Sequence, residues 1–222
     1  MDGGAQVTET VLYDYWRSSA SYRVRIALHT LGIAFRSVPV DLVAGEQLSP
    51  EHLARNPQGF VPVLMIDGLR LTQSLAIIEY LDRTRDAGFL PADPAERARL
   101  QALAHVIASD THPICNPSVL KLHLAGAADP DTARTAWIAH FIRRGLAAVE
   151  TLLDHPRTGP FCHGERPGLA DFCLMPQLYN AARWGADVGD LSRVAAVAAA
   201  CAELAAFRAA YPVDPKAPAA AG

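Results

Sequence analysis

Apolar and polar positions follow different rhythms in the two halves of this chain, and the change comes after Asp82. Val11 to Trp16 is short and rich in aromatic and β-favouring residues, the composition of a strand. From Ser18 to Leu31 the apolar set Tyr22, Val24, Ile26, Ala27, Leu28 and Leu31 covers one broad helical face, and Gly32 follows as a C-terminal stop. Phe35 to Val40 reads as a second strand. A strand, a helix and a strand in so short a span predict a parallel βαβ unit. Val43 to Asn56 reads as loop with a short helix. Val61 to Ile66 is a strand, Asp67-Gly68 is a strong hairpin signal, and Leu69 to Thr72 is predicted to pair back antiparallel. Ser74 is predicted to cap a helix over Leu75 to Arg83, with Leu75, Ile77, Ile78 and Leu81 facing inward.

The order β-α-β, loop, β-β-α is thioredoxin-like. Arg83 to Pro94 carries glycine and proline breaks without periodicity and reads as a linker. From Ala95 to about Tyr211 the chain is rich in alanine and leucine at helical spacing. Breaks at Pro113–Pro117, Gly126–Pro130, Pro156–Pro160 and Pro167-Gly168 divide it into helices. The expected class is therefore α/β plus all-α, with an α/β domain over residues 10–84 and an all-helical domain over 94–212. No internal repeat is evident. Pro212 to Gly222 reads as a disordered proline-alanine tail.

Composition narrows the function classes. The 222 residues are 50% apolar, enough for real cores, and a net charge of −3 offers no footprint for nucleic acid. No apolar run approaches membrane-spanning length, and Met1 to Thr10 is acidic and glycine-containing, unlike a signal peptide. The four cysteines, Cys115, Cys162, Cys173 and Cys201, form no CxxC pair and read as thiols of a reducing cytoplasm. There is no G-x-S-x-G elbow, Gly-rich phosphate loop, dinucleotide fingerprint or H-E-x-x-H. His105 and His112 are not at a metal-ligand spacing, so no metal is expected.

The chemistry-bearing residues gather at helix starts. Ser18 and Ser19 sit where the first apolar run passes into the first helix, behind Arg17. A helix N-terminus with hydroxyl donors holds an anion or lowers the pKa of a thiol. The bland reading is a simple cap. Position 20 is alanine, so any sulfur at this junction must come from a small molecule. Arg25 reads as part of a solvated helix face. Val61-Pro62 lies where a thioredoxin-like order places a cis-proline that presents the preceding backbone to a peptide-like ligand. Gln73-Ser74 is a second helix-start anion site on one reading and a cap on the other. Ser109 to Ser118 is polar with two prolines; its polar groups either satisfy freed carbonyls or contact a ligand through His112. Asp171, in the first turn of a helix after Gly168, reads as a folding signal, since it is placed to accept backbone N–H groups. Arg183 lies on an alanine-rich helix.

These residues, taken together, resemble the zeta class of glutathione transferases, whose best-known members are maleylacetoacetate isomerases. The resemblance runs from about Val11 to Tyr211. It is carried by Arg17-Ser18-Ser19 with Arg23 to Leu28, by Asn56-Pro57, Val61-Pro62 and Gln73 to Leu81, and later by Asn116, Ser118 to Lys121, Ala170-Asp171 and Pro176-Gln177. It implies a thioredoxin-like N-terminal domain, an all-helical C-terminal domain and a cytosolic homodimer. It implies glutathione as cofactor, bound by Ser18, Ser19, Gln47, Val61, Gln73 and Ser74, with His112, Asn116 and Ser118 where the family's helical domain also touches it. Ser18 matches the hydroxyl that activates the glutathione sulfur, with Arg17 and Ser19 beside it. Arg17 and Arg183 match basic residues that hold the carboxylates of a small diacid substrate. The implied reaction is cis–trans isomerisation of maleylacetoacetate to fumarylacetoacetate in aromatic amino-acid breakdown. Maleylpyruvate isomerase or a general glutathione transferase is the alternative, and a non-catalytic binding module a further one. Three departures stand out: Ala20 where the family usually has cysteine, Tyr22 for tryptophan, and Gly168 for a hydroxyl-bearing cap. Double-bond isomerisation needs no protein thiol and survives the first.

Overall fold

The first strand–helix–strand stretch builds one side of a four-stranded sheet in the computed structural model, which describes residues 9–215. The stretches before residue 9 and after residue 215, including most of the proline-alanine tail, lie outside the described residues. The contacts divide the chain into two compact units. One takes in the described chain up to Ala87 together with the stretch from Ala209 onward, and the other is Gly88–Arg208.

In the first unit, β1 (Val11–Asp14) pairs parallel with β2 (Arg36–Pro39), and the sheet order is β2-β1-β3-β4. β3 (Val63–Ile66) runs antiparallel to both β1 and β4 (Leu69–Thr72). β1 and β3 are central and largely buried, so neither shows clean alternation; the edge strands β2 and β4 are mostly exposed. Ile66 pairs with Leu69 across a two-residue turn in which Asp67 (φ 53°) and Gly68 (φ 75°) are both left-handed, the conformation a two-residue hairpin needs.

α1 (Ser19–Thr30) crosses between β1 and β2 and packs on α3 (Ser74–Arg85). Val24, Ile26, Ala27 and Leu28 of α1 and Ile77, Ile78 and Leu81 of α3 have no solvent exposure. Each such branched side chain contributes roughly 1.5–3 kcal/mol by leaving water. The short helix α2 (Pro50–Arg55) lies in the connection to β3.

One prediction about α1 is overturned. Arg25 is not on a solvated face: it is 8% exposed, and its guanidinium binds both oxygens of Asp14 at the end of β1. Its burial comes from these long-range partners, since Nε also donates to the Ala210 carbonyl at 3.1 Å. Ser74 is the first residue of α3 rather than its cap; Gln73 holds the cap position at φ 67°. α3 also runs past Arg83 into the predicted linker.

The second unit is helical: α4 (Pro94–His105), α5 (Pro117–His123), α6 (Pro130–Leu152), α7 (Leu169–Arg183) and α8 (Ser192–Ala202), with α9 (Ala205–Ala210) at its end. The prolines predicted to bend a helix do more than that. After α4 the chain widens into a π-helical turn, Val106–Thr111, and then tightens into a 3₁₀ turn, Pro113–Cys115. The Thr111 hydroxyl donates to the Val106 carbonyl at 2.8 Å, and Trp137 of α6 donates to the Ile114 carbonyl at 3.0 Å.

α6 can approach the wide turn because residue 145 is glycine; a Cβ there would fall on Thr111 Oγ1 and lie 3.1 Å from its Cβ and Cγ2. Gly145→Ala is therefore expected to destabilise the fold by about 1–3 kcal/mol through overpacking. Urea unfolding checks this, and Thr111→Ser should recover little, since the hydroxyl itself is the obstacle.

Asp171 behaves as the sequence predicts. It is fully buried, and its two oxygens accept from Cys162 N and Gly168 N, both at 2.8 Å. Burial pushes its carboxyl above the usual range against the pull of those donors. The glycine at 168 has its own reason: a Cβ there would stand 2.7 Å from the Phe89 carbonyl, to which Leu169 N–H is bonded at 3.1 Å.

Candidate functional site

The start of α1 follows from Ser18 ending an extended stretch. At φ −66°, ψ 120° its side chain turns back as the N-cap, and Oγ accepts from Ser21 N at 3.2 Å. A hydroxyl that accepts in this way keeps its own proton to donate outward. No acidic residue lies in the first turn, so nothing offsets the positive end of the helix dipole. Ser19 is buried and Ser18 half-buried. Beside them Arg17 donates to the Tyr15 hydroxyl at 2.7 Å, and its guanidinium lies 4.8 Å over the Trp16 ring. The cation is thus held by two aromatic side chains of the same turn.

α3 supplies a second helix start, with no side-chain cap. Gln73 adopts φ 67°, ψ 110°, which costs an L residue about 1–3 kcal/mol and is kept where the surroundings enforce it. Behind it Arg23, 2% exposed, donates from Nη1 to Ser74 Oγ at 3.2 Å. A buried cation therefore reinforces the positive end of α3, and the Ser74 hydroxyl, already accepting, has its proton to give.

The remaining predicted residues of this unit lie on the connection before β3. Gln47 sits in a 3₁₀ turn, Glu46–Leu48, and its Oε1 is enclosed without a hydrogen-bond partner among the described residues. Val61 is buried, is joined to Pro62 by a cis bond, and lies beyond Val63, the last residue of β3 in register with β1. Gln58 accepts from Gln73 Nε2 at 2.7 Å, which ties this connection to the start of α3.

In the second unit, His112 is half-buried between the π-helical and 3₁₀ turns, Asn116 caps α5, and Ser118 is exposed in its first turn. Arg183 is exposed at the last position of α7, its guanidinium 4.6 Å over the Trp184 ring. Three of the protein's own thiols are poor nucleophiles. Burial pushes the Cys115 thiol up to about 11 and raises those of Cys162 and Cys201 as well. Among the described residues no group of histidine, cysteine and carboxylate side chains is arranged to hold a metal ion.

Sequence reasoning passed over Tyr15, Gln58 and His52. Tyr15 stood two residues from a singled-out arginine, and the Asn56-Pro57 turn marked the segment in which His52 and Gln58 act.

Residues 8–83 match the family described as Glutathione S-transferase, N-terminal domain, and residues 131–213 its C-terminal domain. A maleylacetoacetate isomerase of Rhizobium meliloti is 60% identical over 205 residues, 92% of this chain and 96% of that protein. The chain belongs to the glutathione S-transferase family, in its zeta class. Two solved structures of that family are close in shape. A holo maleylpyruvate isomerase, a bacterial zeta-class glutathione S-transferase, is 40% identical with TM-score 0.88, covering 94% of this chain and 100% of its own. The maleylacetoacetate isomerase of Anaeromyxobacter dehalogenans, with dicarboxyethyl glutathione and citrate in its active site, is 41% identical with TM-score 0.83, covering 97% and 96%.

Proposed function

We propose that the protein is a glutathione-dependent cis–trans isomerase that converts maleylacetoacetate to fumarylacetoacetate. The observation that carries the proposal is the start of α1. It offers a hydroxyl proton and an uncompensated helix end to an anion, yet position 20 is alanine and three of the protein's four thiols are pushed upward by burial. The nucleophile for such a site is imported.

The residues present fit glutathione. Its carboxylate suits the uncapped start of α3, where Gln73 and Ser74 stand over buried Arg23. Its peptide N–H suits the unpartnered Oε1 of Gln47, and its backbone the main chain of Val61, two residues before β3 begins. Ser18, with Ser19 beside it, is assigned to the sulfur. Bound glutathione would supply a thiolate that adds reversibly beside the substrate carboxylate, so that the double bond becomes single and free to rotate before the sulfur leaves. The chain's own task is to keep the Ser18 proton directed at that sulfur. Arg17, held by Tyr15 and Trp16, is assigned to the substrate carboxylate and to charge that develops on it. The Anaeromyxobacter relative supports this: a dicarboxyethyl group on sulfur is what thiol addition to a butenedioic acid yields. His112, Asn116 and Ser118 are proposed as further glutathione contacts, and Arg183 as a second carboxylate partner.

The proposal extends to tyrosine breakdown as the setting, the cytoplasm as the compartment and a homodimer as the working form. Exposed Leu48, Leu53 and Phe60 in one stretch of the first unit support self-association. Among the described residues no helix is long and apolar enough to cross a membrane.

Similarity to a maleylpyruvate isomerase favours a second reading, isomerisation of that shorter acid. Side-by-side kcat/KM on both acids decides between them. Glutathione-dependent turnover with maleylacetoacetate preferred is the expected result; turnover without glutathione contradicts both readings, and preference for maleylpyruvate selects the second. Arg183→Ala should raise KM for the diacid about tenfold, the loss of a charge-assisted hydrogen bond, and leave glutathione affinity in place. If it weakens glutathione and spares the diacid, the carboxylate assignment is wrong.

A further inference from the structure

We infer that His52 is a positioning residue for glutathione: with Asn56 it anchors the Phe60 carbonyl and so directs the Val61 N–H toward the ligand. The inference rests on the proposed contact between Val61 and glutathione.

His52 is on α2 and 1% exposed, with its own N–H held by Ser49 Oγ at 3.2 Å. Its Nε2 is 3.0 Å from the Phe60 carbonyl oxygen, and Asn56 Nδ2 is 2.9 Å from the same atom. A carbonyl oxygen has two lone pairs, so the two donors saturate it. Asn56 braces the turn further: Oδ1 accepts from Gln58 N at 3.1 Å and its carbonyl from Gly59 N at 2.9 Å. Gly59 lets this turn seat on the turn that carries Gln47. At φ 66° it favours glycine, and a Cβ there would stand 2.9 Å from Leu48 Cδ2 and 3.2 Å from the Gln47 carbonyl.

Peptide planarity carries the consequence to Val61. The Phe60–Val61 peptide is a rigid trans plane, in which the carbonyl and the N–H point in opposite directions. With the carbonyl fixed toward α2, the Val61 N–H is fixed away from it. Asn56 alone leaves that plane a hinge, whereas two donors from different positions remove the hinge.

The other nitrogen of His52 argues that this bond is why the residue is there. Phe60 O can only accept, so Nε2 is the donor in this bond and Nδ1 takes no part in it. Nδ1 is enclosed and has no hydrogen-bond partner among the described residues. A phenylalanine or leucine would fill the same space without burying an unmatched nitrogen.

The test compares His52→Phe, which fills the space without a donor, with His52→Gln, which keeps a nitrogen donor at similar reach. Glutathione affinity is read by calorimetry, and turnover at saturating glutathione alongside it. His52→Phe should weaken glutathione binding about tenfold, the loss of one hydrogen bond's worth of orientation. It should leave kcat at saturation within about twofold and the unfolding midpoint no lower than wild type, since no unmatched nitrogen remains. His52→Gln should recover most of the affinity. Unchanged affinity in His52→Phe, or no recovery in His52→Gln, overturns the inference; His52→Leu serves the same arm where phenylalanine does not fold. A wild-type protein that fails to bind millimolar glutathione overturns the Val61 contact itself, and that failure is seen before any substitution is made.

Discussion

Ser18→Ala is expected to lower kcat for glutathione-dependent isomerisation about 100-fold while leaving glutathione affinity within a few-fold, the effect of removing one preorganised donor from a developing anion. The expectation follows from the hydrogen bonding at the helix start. Ser18 Oγ accepts from Ser21 N, so the proton it carries points outward, where alanine offers nothing. The loss of the cap itself is worth about 1 kcal/mol of helix stability, too little to unfold the domain and visible separately as a small shift in the unfolding midpoint. Steady-state kinetics with calorimetric glutathione affinity measure both halves. A variant with kcat within about threefold of wild type would remove Ser18 from the thiol-activating role.

Breaking the buried pair between Asp14 and Arg25 should cost the most stability. Arg25 Nη1 lies 2.9 and 2.7 Å from the two Asp14 oxygens, Nη2 donates to the Trp16 carbonyl at 3.0 Å, and Nε donates to the Ala210 carbonyl at 3.1 Å. One side chain thereby joins the end of β1, the turn that carries Arg17, and the returning end of the chain. Arg25→Met keeps the length and removes the charge, leaving Asp14 buried without its partner. The expected loss is about 3–5 kcal/mol, because an uncompensated buried carboxylate is far more expensive than an absent pair. Asp14→Leu combined with Arg25→Met should recover a large part of that loss. Urea unfolding of the three variants checks the cycle. A single-variant cost below about 1 kcal/mol would mean the pair behaves as a solvated surface bridge.

The same pair marks where sequence reasoning stops. Periodicity was enough for the strands, α1, α3 and the Asp67-Gly68 turn, because each is decided by local apolar spacing and turn chemistry. Arg25 was misread because a charge on a helix is judged by its neighbours in sequence, whereas its burial comes from Asp14 and Ala210, which are brought to it by the sheet and by the chain's return. The wide turn after α4 was legible only as a disturbance: two prolines announce a break, but the register shift depends on Thr111 meeting Gly145. At the candidate site, Ser18, Gln73 and Ser74 were visible because helix starts have a residue grammar. The bracing side chains Tyr15, Arg23 and His52 were less visible, since hydrogen bonds to a distant hydroxyl or carbonyl leave no periodic trace.

In the proposed site the start of α1 holds a ligand sulfur as its anion. Titrating the ultraviolet thiolate absorbance of the glutathione complex against pH tests it most directly. A free thiol ionises at about 8.5, and a helix N-terminus with a hydroxyl donor should bring the bound sulfur down to about 6–7. That midpoint is expected in the wild type, with a return toward the free value in Ser18→Ala. A wild-type complex whose sulfur titrates as it does in free glutathione would contradict it.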